Sequence, residues 1–169
     1  MITITDLSKE EILALLQRSV KEFNDWRTQH PEVKMIDLCE AELDSTNLRG
    51  ANLVRADLRS AHLRNANLEG AILFEANLED ADLSDTVLTN TTLARASLRN
   101  VNLEYANLRG ANLREADLAW ADLNNADLTG AELSGTSLHG IQLWGVKGVT
   151  GEVFGAWLQQ FVRSIHFAE

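Results

Sequence analysis

Between Ile36 and Gly145 the apolar positions recur with a period of five and never lose register. Leu stands at every fifth residue from Leu38 to Leu143, which makes twenty-two five-residue words. Two residues before each Leu comes a second inward candidate. It is Ala in fifteen words, Thr at Thr46, Thr86, Thr91 and Thr136, and a larger aliphatic at Ile36, Val101 and Ile141. The remaining three positions of each word are mostly polar. Neither regular element explains this spacing. Five residues advance an α-helix by about 500°, so the Leu residues would spiral around it. In a continuous strand a step of five sends successive Leu to opposite faces. Only a local rule survives: the first and third residues of a word point the same way, as in a very short strand, and the chain then bends. Bends repeated in one sense close into a coil.

The outward positions give the number of sides. Two residues after Leu, every fourth word reads Gly50, Gly70, Asn90, Gly110 and Gly130. Gly and Asn tolerate positive φ, so one corner per coil is expected to require it. A second column of the same period reads Arg55, Glu75, Arg95 and Glu115, an alternation that stacked neighbours would favour. Both columns imply four words, or twenty residues, per coil.

The A(D/N)LXX words, as in "ANLRGANLREADLAWADLNNADLTG" at 106–130, resemble those of the pentapeptide-repeat proteins over about two thirds of the chain. The resemblance implies an all-β solenoid, a right-handed quadrilateral parallel β-helix of about 5.5 coils, with the first and third residues of each word inside. At roughly 4.8 Å per layer the rod is about 26 Å long. Leu then fills the axis and Ala lets the chain pass close to it.

Each coil touches only its neighbours, so the two open ends need covers. Ser8 and Glu11 have the spacing of a capping box. Ile12, Leu15, Leu16, Val20, Phe23 and Trp26 follow at helical spacing, and Pro31 lies beyond. One amphipathic helix from about 8 to 29 is expected over the first coil. A second is expected at about 151–166, with a stripe of Val153, Trp157, Phe161 and Ile165. The division is therefore 1–35 as an N-terminal capping helix region, 36–145 as the β-helix, and 146–169 as a C-terminal capping helix.

Composition narrows the function. With 25 acidic and 15 basic residues the formal net charge is −10. That disfavours direct nucleic-acid or anionic-membrane binding, which depend on Lys and Arg. The single Cys39 forms no intrachain disulfide and suits a reducing compartment. The N-terminus lacks the charge-then-apolar pattern of a signal peptide, and no apolar run reaches membrane-spanning length. A cytoplasmic, bacterial protein is expected. No catalytic, cofactor-binding or metal-ligating constellation stands out. His62 and His139 fall on different faces, and His139 shares a column with Cys39 about 24 Å away by the same layer spacing. His30 and His166 lie in the terminal regions without metal-ligand spacing. The Asp and Asn before each Leu recur too often to be catalytic, and read as corner and ladder residues. The expectation is a protein that is not an enzyme and needs no cofactor.

Charge sorted by side says more. The side of Leu38, Leu58, Leu78, Leu98, Leu118 and Leu138 (side 1) carries six acids and two bases. The next, from Leu43 to Leu143 (side 2), carries six acids and one base. Side 3, from Leu48 to Leu128, has two of each, and side 4, from Leu53 to Leu133, three of each. Trp120 sits at the corner between the acidic sides and Trp144 on the second. Either these tryptophans anchor a basic partner, or they lie beneath the C-terminal helix while the carboxylates keep the rod soluble. The candidate partner surface is Asp82, Asp85, Glu104, Asp122, Trp120 and Trp144, facing an unidentified protein. A small apolar patch of Val54, Ile72 and Phe74 lies on side 4. The chain is expected as a monomer, or a dimer through a terminal cap. The alternative comes from the resemblance: some pentapeptide-repeat proteins mimic duplex DNA and bind type II topoisomerases such as gyrase.

Overall fold

A computed structural model of the chain describes residues 7–149 and Gly151. The expected C-terminal helix at 151–166 falls almost wholly outside the described residues.

Parallel bridges join residues twenty apart without interruption, from Asp37↔Asp57 to Asp127↔Lys147. Four words therefore complete one turn, as the outward columns implied. The bridging residue is always the second of its word, so each side of the coil is a strand reduced to a single paired residue. The words close on themselves by hydrogen bonding, as word 56–60 illustrates. Asp57 N donates to Ile36 O at 2.8 Å, Leu58 N to Asn77 O at 2.7 Å and Ser60 N to Glu79 O at 2.9 Å. Ala56 N bonds Leu53 O across the preceding bend at 3.0 Å. The fifth amide, Arg59 N, donates to the side-chain Oδ1 of Asp57 at 3.3 Å. No amide of the word is left over, which a closely packed backbone requires.

That last bond explains the Asp/Asn preference before Leu. A short carboxylate or amide reaches the amide two residues on, the Asx-turn geometry. It recurs at Asn47, Asn67, Asn77, Asp82, Asn102, Asp117, Asp122 and Asp127, among others. Where the position is His62 or Gln142, the donor finds a substitute one coil below. Arg64 N bonds Asp44 Oδ1 at 2.8 Å, and Trp144 N bonds Asn124 Oδ1 at 2.7 Å.

The expectation of one special corner per coil is corrected. The fifth residue of every word, from Glu40 to Gly145, has φ between +54° and +74°. All four corners are left-handed, and at most of them the residue is not glycine: Glu40, Arg55, Asp85, Tyr105 and Trp120 are examples. Left-handed backbone costs an ordinary residue about 1–2 kcal/mol. Here the bend bond on one side and the ladder bond of the same residue's amide on the other over-determine it.

Leu38 through Leu128 are buried along the axis, with the Ala residues between them. Threonine inside the coil keeps its hydroxyl bonded: Thr91 Oγ1 donates to Leu68 O and Thr136 Oγ1 to Leu113 O, both at 2.8 Å.

At the N-terminus the single expected helix is two. α1 spans Lys9–Arg18 and α2 spans Val20–Gln29. Ser19 is extended, ends α1 by donating its amide to Leu15 O, and begins α2 by accepting from Glu22 N at 3.2 Å. Apolar periodicity runs through the break and hides a second S-x-x-E start at Ser19. The capping box at Ser8 and Glu11 forms as its spacing implies. Ile12, Leu16, Phe23 and Trp26 join the same buried cluster as Ile36, Leu38 and Leu43. Helix side chains also meet the exposed ladder edge of the first coil. Lys9 bonds Cys39 O, Gln17 bonds Glu42 O at 2.9 Å, and Asn24 accepts from Asn52 N at 2.8 Å. Arg27 bonds Val54 O at 3.1 Å, so all four sides receive a partner from the helices or, on side 3, through Asn24 and Gly50 O. Unpaired edge groups are otherwise an invitation to further strand pairing.

Candidate functional site

The stacking of words at intervals of twenty fixes which side chains meet. On side 4 the alternating column forms a ladder: Arg55 Nε bonds Glu75 Oε2 at 2.7 Å and Arg95 Nε bonds Glu115 Oε2 at 2.8 Å. Arg114 meets Glu132 at 2.9 Å. On side 3 Arg49 meets Glu69 at 3.0 Å and Arg109 meets Asp127 at 3.4 Å. Every carboxylate of sides 3 and 4 thus has an arginine. On side 1 the pairing is partial: Asp57 takes Arg59, and Asp117 and Glu79 take Arg99, while Glu40 and Asp80 have no ion pair among the described residues. The Arg59 hydrogen bond holds the Asp57 carboxyl below the ordinary carboxylate range. Burial pushes Asp117 up, but bonds from Arg99 and the Ala119 amide outweigh it and leave the carboxyl lowered.

Side 2 differs. Its only base, Arg64, reaches Asp82 at 3.8 Å. Glu42, Asp44, Asp85, Glu104 and Asp122 have no ion pair among the described residues. Two of the expected acids are also structural: Asp82 Oδ1 accepts from Ser84 N and Oγ, and Asp122 Oδ1 accepts from Asn124 N at 2.9 Å.

The structure splits the candidate surface between two edges of side 2. Asp82 and Asp122 lie two layers apart in one column, next to the corner that carries Trp120. Glu104 and Trp144 share the column across the side, again two layers apart, with Asp85 in the adjoining corner column. Directly above Asp85, one layer up, stands Tyr105, which is 57% exposed and which the sequence reading does not single out. Its signal is available: it is the outward fifth residue of the word that contains Glu104. Trp120 is 53% exposed and Trp144 76%. Trp120 packs edge-on against His139 with ring centroids 4.8 Å apart, and its six-membered ring lies over Gly140. On side 4, Ile72 is exposed while Val54 and Phe74 are half-buried, with the Arg95 guanidinium 5.9 Å from the Phe74 ring centroid.

Among the described residues no cluster of His, Cys, Asp or Glu is arranged to hold a metal ion. None of their helices is long and apolar enough to cross a membrane.

The pentapeptide repeats family model matches in eight copies, over segments running from residue 41 to residue 147. The chain belongs to the pentapeptide-repeat family. It is similar to Rfr23, a pentapeptide repeat protein of the cyanobacterium Cyanothece 51142. The two share 32% identity over 73% of this chain and 96% of that one, with a TM-score of 0.59. A pentapeptide repeat protein of the Arabidopsis thaliana thylakoid lumen also has 32% identity, over 53% of this chain and 66% of its own, with a TM-score of 0.45. A trypsin-treated variant of QnrB1, a plasmid-mediated fluoroquinolone resistance protein, has 19% identity over 75% of this chain and 65% of its own, at a TM-score of 0.47. No curated protein sequence matches.

Proposed function

We propose that this pentapeptide-repeat chain is a non-enzymatic interaction module, a rigid right-handed quadrilateral rod of about 5.5 coils. α1 and α2 cover its first coil, and it presents flat faces to a protein partner in the cytoplasm. One observation carries the reading. Arginine neutralises every carboxylate on sides 3 and 4, whereas five on side 2 have no ion pair among the described residues. A fold that stacks residues every twenty positions makes such pairing easy, so five carboxylates on one side without an ion pair among the described residues support reading it as the side that meets a cationic partner.

Replacing Asp82, Asp85, Glu104 and Asp122 together by Lys, with co-purification from the native lysate, tests this. Loss of one or more partners from a still-folded protein is expected; retention of every partner refutes the reading. A gyrase supercoiling assay separates it from DNA mimicry. No effect at large molar excess is expected, because the acidity occupies two sides of four instead of encircling the rod.

A further inference from the structure

Among the described residues the half of side 2 that faces side 3 is a sheet face without a partner, and it combines two features that no other face of the rod shares there. Tyr105 and Trp144 project from it at 57% and 76% exposure. Neither ring has an aromatic, cationic or hydrogen-bonding neighbour among the described residues, whereas Trp120 at the opposite edge has His139. Asp85 and Glu104 lie beside the Tyr105 ring, two to three layers from Trp144, and also lack ion pairs among the described residues. Asp85 stands one layer below Tyr105 in its column, and Glu104 is the neighbour of Tyr105 in the same word. The strip from Asp85 to Trp144 crosses three layers, about 14 Å. That is the length of about four to five residues of extended chain.

We infer that this strip binds a short arginine-rich segment of a protein partner, with guanidinium groups paired to Asp85 and Glu104 and stacked on Tyr105 and Trp144. The inference rests on the interaction-module reading above. Arginine suits the site better than lysine because its planar group satisfies a carboxylate and a ring face at once. A lysine ammonium is more strongly hydrated and gains less from the rings. The rod supplies a rigid platform, since the backbone amides at Asp85, Glu104, Tyr105 and Trp144 are all hydrogen-bonded. Glu104 N, for example, bonds Asn102 Oδ1 at 3.0 Å, and Tyr105 N bonds Asn124 O at 3.0 Å.

The test titrates the full chain, at low salt, with a fluorescein-labelled peptide of four Arg-Gly pairs and its Lys-Gly counterpart, read by fluorescence anisotropy. The arginine peptide is expected to bind at least about fivefold more tightly than the lysine peptide. A Tyr105→Ser/Trp144→Ser variant is expected to lose that preference while keeping residual charge-driven binding. Both residues are exposed, and circular dichroism reports whether the variant is folded. Asp85→Asn/Glu104→Gln is expected to weaken both peptides alike. Equal binding of the two peptides, or a preference untouched by the serine variant, overturns the arginine assignment and leaves the acidic-face reading standing. Absence of binding by either peptide overturns it too. The interaction-module reading falls separately, through the co-purification of the charge-reversed protein.

Discussion

Gly140 is the residue that most directly tests how coils stack. A Cβ built there lies 2.2 Å from Trp120 Cε3 and 2.5 Å from Cζ3, and its backbone has φ of +69°. At Gly70 the φ is nearly the same, +65°, yet a Cβ meets nothing within 4 Å. The two positions separate two costs that glycine otherwise hides together. Gly70→Ala carries the left-handed penalty alone, about 1–2 kcal/mol. Gly140→Ala carries that penalty and must also displace an indole ring, a further ~1–3 kcal/mol by the cost of overfilling a packed site. Its expected destabilisation is therefore roughly 2–5 kcal/mol.

The double variant Trp120→Ala/Gly140→Ala closes the comparison. Measured against Trp120→Ala, adding the Gly140→Ala change should cost only about 1–2 kcal/mol, because the ring is gone. Urea unfolding followed by far-ultraviolet circular dichroism gives these differences, and Trp fluorescence of Gly140→Ala reports the ring's displacement. If Gly140→Ala and Gly70→Ala cost the same, Trp120 does not lie over Gly140 and the stacking argument fails.

Other perturbations address the ion ladder, acid stability and the N-terminal helices. Glu75 touches Arg55 at 2.7 Å and Arg95 at 3.9 Å. All three side chains are partly solvated, so Glu75→Gln should cost only about 0.5–1 kcal/mol, a difference that shrinks at about 1 M salt. Asp57, Asp117 and Asp127 have carboxyls held below their ordinary range, so their contribution is complete above the unfolded value of about 3.9. It is lost as pH falls through the lower folded values. Acid unfolding should accordingly begin below about pH 4, and Asp57→Asn should blunt it, as pH-jump or urea midpoints will register. Ser19→Ala removes the cap that starts α2 and should cost ~1 kcal/mol by thermal melting.

What the sequence made legible follows from period. A five-residue repeat of Leu and a twenty-residue repeat of charge are visible because every coil obeys the same geometry, and they suffice for four words per turn. Features that break period are harder to read. Ser19 escapes notice because the apolar stripe of α1 and α2 continues in phase across it, and only a capping residue records the break. The glycine column misleads for the opposite reason. It is periodic, but it marks one side where all sides share the backbone conformation, because ladder bonds impose left-handed φ on Glu40 or Arg55 as firmly as on Gly50.

The candidate surface was legible as composition but not as arrangement. Acids counted by side pointed to sides 1 and 2, yet a count does not say which carboxylates meet an arginine: Glu75 lies between two, and Glu104 has no ion pair among the described residues. That distinction comes from spacing: Arg55 and Arg95 stand twenty residues either side of Glu75, whereas Ser84 and Asn124 stand twenty residues either side of Glu104. Once the twenty-residue period is accepted, the sequence does contain this information. A carboxylate between Ser84 and Asn124 has no base to meet in its own column, and Tyr105 beside it has no ring to stack on among the described residues. The residues that leave this ladder unfinished are the ones proposed above to meet a partner.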